Sequence, residues 1–135
     1  MKLVRDPKLA RIAALPLFAG CSTRELAAVG AAAELVTVPR LTELTLEGTR
    51  AEHVYVLVDG MVQVRRGSRV LAYLKDGDVV GELGPLDRSL RTATVTTIVD
   101  SDVLIIDRRH LVPLLDRSPD IGARFEAIAA PRRAA

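Results

Sequence analysis

The chain has 135 residues, of which 49% are hydrophobic, enough for one domain with a sizeable core and too many for a disordered tail. Its 19 basic and 17 acidic side chains leave a formal charge of +2, and the basic residues are scattered: the span up to Gly60 holds seven basic and seven acidic residues. With 3% aromatics and no tryptophan, the chain lacks the concentrated basic face and stacking rings that nucleic acid requires.

The start, "MKLVRDPKLARIAALPLF", carries charge through its apolar part and is a poor signal peptide. No apolar stretch approaches the roughly 20 residues that span a bilayer. Asp6-Pro7 reads as a helix N-cap followed by proline at the first helical position, with Leu9, Ile12 and Ala13 at helical spacing behind it. Ser22 and Glu25 fit a capping box, and Leu26, Val29 and Ala33 form the stripe of a second helix. "LPLFAG" joins the two. The single cysteine, Cys21, excludes an internal disulfide and any cysteine-cluster metal site. It reads as a semi-buried structural residue rather than a nucleophile activated by the helix start. These features together place the chain in the cytoplasm.

From residue 34 the period changes to two. "ELVTV" (34–38), "ELTLE" (43–47), "HVYVLV" (53–58), "MVQVRR" (61–66), "RVLAYL" (69–74), "TATVTTIV" (92–99) and "DVLIID" (102–107) read as strands. Gly48, Asp59-Gly60, Gly67-Ser68, Asp76-Gly77 and Asp100-Ser101 punctuate them, with Gly67-Ser68 as a tight hairpin turn. Helical signals return in "RRHLVPLL", interrupted by Pro113 unless it falls in the first turn. Ser118-Pro119 repeats the cap-plus-proline signal, and Ile121, Phe125 and Ile128 form one face of a helix stopped by Pro131. The chain is expected to be one domain, 1–135, with helices over 6–33, a β-sandwich, jelly roll or barrel over 34–107, and C-terminal helices over 108–130.

One stretch, "VVGELGPLDRSLRTATV" (79–95), is longer than a turn between two strands needs. "GEL" follows a strand and opens a short helical turn, whose unpaired N–H groups suit an anion. Gly81 lets the backbone approach a ligand. Arg91, nine residues beyond Glu82, can grip two phosphate oxygens at once. Glu82 is an acceptor and suits a sugar hydroxyl. Donors for phosphate beside an acceptor for a sugar describe a nucleotide monophosphate. The bland alternative is that Glu82 and Arg91 pair with each other. Arg88 reads as a solvated loop charge. His53 and His110 belong to no ligand-spaced set, so a metal-dependent cupin barrel is poorly supported, and no Gly-x-Ser-x-Gly elbow supports a hydrolase.

On these residues the chain resembles the cyclic nucleotide-binding domains of the catabolite-activator and protein-kinase regulatory type, from about Ile12 to Leu115. "LPLFAGCSTREL" is similar to the family's helical entry, "LTLEGTRAEHVYVLVDGMVQV" to its central strands, and "LKDGDVVGELGPLDRSLRTATV" to its phosphate-binding cassette. The resemblance implies a mainly β fold: a double-stranded β-helix, or jelly roll, of about eight strands with flanking N- and C-terminal helices. It implies that Glu82 accepts the ribose 2′-hydroxyl and that Arg91 pairs with the cyclic phosphate. Backbone amides of Leu83 and Gly84, and of Thr92 or Ala93, would share that phosphate beside Gly81. The ligand would be cAMP or cGMP, with its base against apolar strand residues and capped from the C-terminal helix near Phe125 or Ile128. Three positions depart from the pattern: Pro85 within the cassette helix, Leu90 where many members have proline, and "PRLTEL" (39–44) without the usual glycine.

The expected role is a sensor without catalytic activity or metal, acting on an unidentified protein partner or on a second copy in a homodimer. Only about 25 residues follow the last strand, too few for a helix-turn-helix domain. The alternative is an interaction module in which the cassette persists as architecture without binding a nucleotide.

Overall fold

The computed structural model describes residues 6–81 and 88–133, the last of these without its side chain. The two N-terminal helices form where the caps predict. In α1 (Pro7–Ala13), the Asp6 carboxylate accepts from the Lys8 N–H at 2.8 Å. In α2 (Thr23–Ala32), Ser22 and Glu25 close the reciprocal capping box at 3.0 and 3.1 Å. Between them "PLF" (Pro16–Phe18) makes a 3-10 turn that buries Leu17 and Phe18.

Eight strands follow: β1 (Ala33–Val38), β2 (Glu43–Thr45), β3 (His53–Asp59), β4 (Met61–Arg66), β5 (Arg69–Lys75), β6 (Val79–Val80), β7 (Thr94–Thr97) and β8 (Ser101–Asp107). They form two four-stranded antiparallel sheets, ordered β1-β8-β3-β6 and β2-β7-β4-β5. This is the expected jelly roll with flanking helices. Gly67-Ser68 closes the β4–β5 hairpin with Arg66 opposite Arg69, and Gly67 takes the left-handed φ of +58° that a two-residue turn requires.

The first sheet is buried on both faces, which is why "HVYVLV" and "DVLIID" are nearly continuous apolar runs. Val54, Val56, Leu104 and Ile106 point to the helices and join Ile12, Phe18, Leu26, Val29, Leu111, Ile121 and Phe125 in one core. Their strand neighbours Leu57 and Val103 point the other way and pack with Val62, Val80 and Val95 between the sheets. The period of two in a strand makes this division automatic.

The C-terminal helices run further than the prolines suggest. Helix α3 (Arg108–Arg117), capped by Asp107, contains Pro113 at its sixth position. Helix α4 (Pro119–Arg133) passes through Pro131. Each proline removes one backbone bond, to the carbonyl four residues earlier. Those carbonyls belong to Arg109 and Ala127, both of them exposed residues, so losing the bond does not strand a polar group in the core. The turn at 39–44 meets its lack of glycine differently: exposed Leu41 itself adopts φ +65°.

Candidate functional site

Strand β6 ends at Val80 and leads into Gly81, and Leu90 precedes the entry to β7. Arg91 follows Leu90 and is 8% exposed. Its main chain is held first. The Arg91 N–H donates to the Thr49 carbonyl at 2.8 Å, and its carbonyl accepts from the Gly48 N–H at 2.9 Å. Gly48 can serve because it takes φ +84° in the β2–β3 turn. Thr49 Oγ1 bonds the Leu46 carbonyl at 2.6 Å and stiffens that turn.

The Arg91 side chain is held next. Nη1 donates to the Gly81 carbonyl at 2.7 Å, and Nη2 donates to the His53 carbonyl at 2.6 Å. Two bonds to rigid backbone set the plane of the guanidinium. The Tyr55 ring lies beside it, 5.9 Å from Cζ. Burial pushes the Tyr55 hydroxyl above its ordinary pKa, and the Arg91 charge only partly offsets that.

Gly81 has two reasons to be glycine. Its φ is +76°, and a β-carbon there would lie 2.3 Å from Arg91 Nη1 and 3.1 Å from Cζ. Any larger residue would occupy the place the guanidinium uses.

Beside this pair is a cavity of about 300 Å³. Val64, Leu71, Ala72, Leu74, Val80, Leu90 and Val95 give it mainly apolar walls, with Thr45, Thr92 and three arginines, Arg66, Arg91 and Arg132, as its polar side chains. Thr92 and Ala93 line it too. Their carbonyls are taken, by Arg66 Nε at 3.0 Å and by Thr45 Oγ1 at 2.9 Å. Their amide N–H groups have no hydrogen-bond partner among the described residues.

The structure therefore brings Gly81, Arg91, Thr92 and Ala93 to one cavity. Glu82, Leu83, Gly84 and Pro85 lie outside the described residues, and so does the alternative Glu82–Arg91 pair. Leu90 is exposed and forms an isolated bridge with Arg50. Arg88 is exposed, at φ +55°. Phe125 and Ile128 do not reach the cavity. Phe125 is fully buried in the core under the first sheet with Ile128 packed against it, and the α4 residue that lines the cavity is Arg132. The apolar face of α4 is spent on the core, so only its last turn extends past the sheet edge to the site.

Sequence reasoning missed Arg66, Arg132, Tyr55 and the Gly48-Thr49 grip. Arg66 carries one usable signal: at the exposed end of β4 it follows Val62 and Val64 at a spacing of two, and so is a charge on the side of the strand that those valines share. Cys21 is half-buried, and desolvation followed by the Glu25 charge raises its pKa against the pull of Arg124, which fits a structural residue. No group of three or more His, Cys, Asp or Glu side chains that could hold a metal ion occurs among the described residues. Among the described residues no helix is long and apolar enough to cross a membrane.

Known proteins resemble this chain in sequence and in fold. Residues 35–118 match the cyclic nucleotide-binding domain family. The chain is 30% identical over 110 residues to the Pycsar effector protein XpPycTIR of Xanthomonas perforans, covering 81% of this chain and 35% of that protein. It is 26% identical over 121 residues to a CRP-like cAMP-activated global transcriptional regulator of Mycobacterium tuberculosis, covering 86% and 54%. Among solved structures, the catabolite activator protein of Thermus thermophilus superposes with a TM-score of 0.78 at 25% identity, covering 88% of this chain and 58% of that one. The chain thus spans well under two thirds of the length of these relatives.

Proposed function

This chain belongs to the cyclic nucleotide-binding domain family, and from that premise we propose that its cavity takes up cAMP or cGMP and that the domain acts as a regulatory sensor. The observation that carries the reading is Arg91: a buried guanidinium fixed by two carbonyls at the wall of a cavity, against a glycine whose missing β-carbon leaves the space that Nη1 fills. A cyclic phosphate is the anion of matching size and charge, and Arg91 can bind it with charge-assisted bonds. The Thr92 and Ala93 amides, without a partner among the described residues, supply further donors, with the Leu83 and Gly84 amides from the cassette. Glu82 accepts the ribose 2′-hydroxyl. The apolar walls receive the base.

The domain itself transforms no substrate in this reading; residues 1–135 work in the cytoplasm as one regulatory unit. Its output passes to a partner protein or a second copy through α4. Arg132 Nη1 donates to the Val79 carbonyl at 2.8 Å, joining the last turn of α4 to the strand that leads into Gly81. A ligand that rearranges the Gly81 segment thereby alters the seat of α4, to the extent that it binds the two arrangements with different affinity.

The test is calorimetric titration of cAMP and cGMP into the purified chain and its Arg91→Ala variant. Loss of charge-assisted bonds worth about 2–3 kcal/mol should weaken binding roughly 30- to 150-fold. Equal affinity in the variant would refute the site. Absence of any binding to the parent chain would favour the interaction-module reading, in which the jelly roll serves a protein partner alone.

A further inference from the structure

Each sheet has two edge strands, and β5 is the edge left open. β2 and β6 have only three and two residues. β1 keeps Leu35, Val36 and Val38 half-buried. β5 runs for seven residues, and all of them except Leu74 are exposed. No strand lies on its far side among the described residues, so its outward N–H and C=O groups form an unpaired row. Soluble proteins ordinarily keep such an edge short or covered. This edge is also apolar. Val70 and Tyr73 lie on the outer face of the sheet with Met61 of β4. Tyr73 is 57% exposed, and its hydroxyl accepts from Gln63 Nε2 at 3.2 Å.

The charge of the β4–β5 hairpin has one sign. Residues 61–75 hold four basic side chains and no acidic one. Two of the four are engaged: Arg65 faces Glu43 at 3.8 Å, and Arg66 Nε donates to the Thr92 carbonyl at 3.0 Å. The other two, Arg69 and Lys75, stand at the two ends of β5. Their side chains have no hydrogen-bond or ion-pair partner among the described residues. Asp76 and Asp78, next along the chain, do not serve them. Their carboxylates accept from the Gly60 and Lys75 main-chain N–H groups at 2.7 and 2.9 Å.

These features select the occupant. A second copy pairing antiparallel about Ala72 would set Arg69 against Lys75, and like charges opposite each other destabilise a strand pair. The register also shifts at Leu71, since Val64 pairs with Ala72 and Arg65 with Val70. Such a bulge twists an edge away from another rigid edge of its own kind, whereas a single extended segment can follow the twist. A segment with a carboxylate near each end and apolar residues between them meets both free cations and the Val70–Tyr73 surface, while its backbone fills the open row.

We propose that β5 is a docking edge, at which a partner protein adds an extended apolar segment flanked by Asp or Glu as a fifth strand of the second sheet. This surface lies on a different element from α4, and the proposal does not depend on nucleotide binding.

The test uses blocked synthetic peptides as long as β5: Glu-Val-Thr-Val-Thr-Val-Glu, the same peptide with Lys at both ends, and the Glu-ended peptide N-methylated at every interior amide. Each is titrated into the isotope-labelled chain at low salt, and backbone amide shifts are followed by NMR. The Glu-ended peptide should move the amides of residues 69–75 and bind about tenfold more tightly than the Lys-ended one. N-methylation should abolish binding, because the pairing is through the main chain. Arg69→Glu/Lys75→Glu should reverse the preference between the two ends. If circular dichroism shows that variant unfolded, Arg69→Ala and Lys75→Ala carry the test, each weakening the Glu-ended peptide about threefold. Unmoved 69–75 amides at about 2 mM peptide, equal binding of the two charge forms, or full binding of the N-methylated peptide would overturn the proposal. Self-association in sedimentation equilibrium that Tyr73→Glu abolishes would overturn it in favour of a second copy. Tighter binding of a duplex DNA of about 20 base pairs, lost in Arg69→Glu/Lys75→Glu, would overturn it in favour of nucleic acid.

Discussion

Replacing Gly81 with alanine tests whether the glycine exists for the guanidinium. Two costs arise from the geometry. Alanine at φ +76° sits in left-handed backbone, worth about 1–2 kcal/mol. Its β-carbon would also lie 2.3 Å from Arg91 Nη1. That atom ends a flexible side chain and can move, but moving it breaks the 2.7 Å bond to the Gly81 carbonyl. A bond from a charged donor contributes about 1.5–3 kcal/mol. The smaller entropy of the unfolded alanine chain returns roughly 0.4–1 kcal/mol. The net destabilisation is about 2–4 kcal/mol, which a domain of ordinary stability survives. At about 4 °C per kcal/mol for this size, the melting temperature should fall by roughly 8–16 °C. The assay is thermal and urea unfolding by circular dichroism, in the parent chain and in the Arg91→Ala background. With the guanidinium gone, only the backbone cost remains, and the effect should shrink to about 1 kcal/mol. An equal effect in both backgrounds would refute the argument, because the glycine would then serve the turn and not the arginine.

Two further outcomes follow from the scaffold. The Asp102 carboxyl is held below its ordinary pKa by the hydrogen bond from Thr37 Oγ1 at 2.6 Å and then by Arg11 at 2.7 Å. A lowered folded pKa means that this stability is present above the ordinary aspartate pKa of about 3.9 and is lost as pH falls through the folded value. Asp102→Asn should therefore cost about 1 kcal/mol at pH 7 and almost nothing near pH 2 in urea titrations; a cost independent of pH would contradict this. Leu41 is 69% exposed at φ +65°, so little packing is at stake there. Leu41→Gly trades about 1–2 kcal/mol of backbone strain against about 1 kcal/mol of glycine entropy and should leave the urea midpoint unchanged or raised, whereas a clear fall would mean that the side chain contributes packing.

The linear pattern of residues determined a good deal of this protein. The caps at Asp6 and Ser22 act through neighbours two or three residues away, so they were legible and form as expected. The strands were legible because burial on a sheet repeats every second residue, and the turns because Gly48, Gly67 and Gly77 take backbone angles that other residues resist. The cassette stretch was legible because Gly81 and Arg91 lie on one return of the chain. Other features depend on what stands opposite in space. Whether Pro113 and Pro131 break a helix turns on whether the orphaned carbonyls face water, which tertiary position alone sets. Phe125 belongs to the core, and Arg132 to the cavity, because α4 packs its apolar face under the first sheet before its last turn reaches the site. The grip of Thr49 on Arg91, the His53 carbonyl that orients its guanidinium, and the arrival of Arg66 at the same cavity join segments dozens of residues apart. Periodicity says which side of a strand is buried; only the pairing of distant strands says what it is buried against.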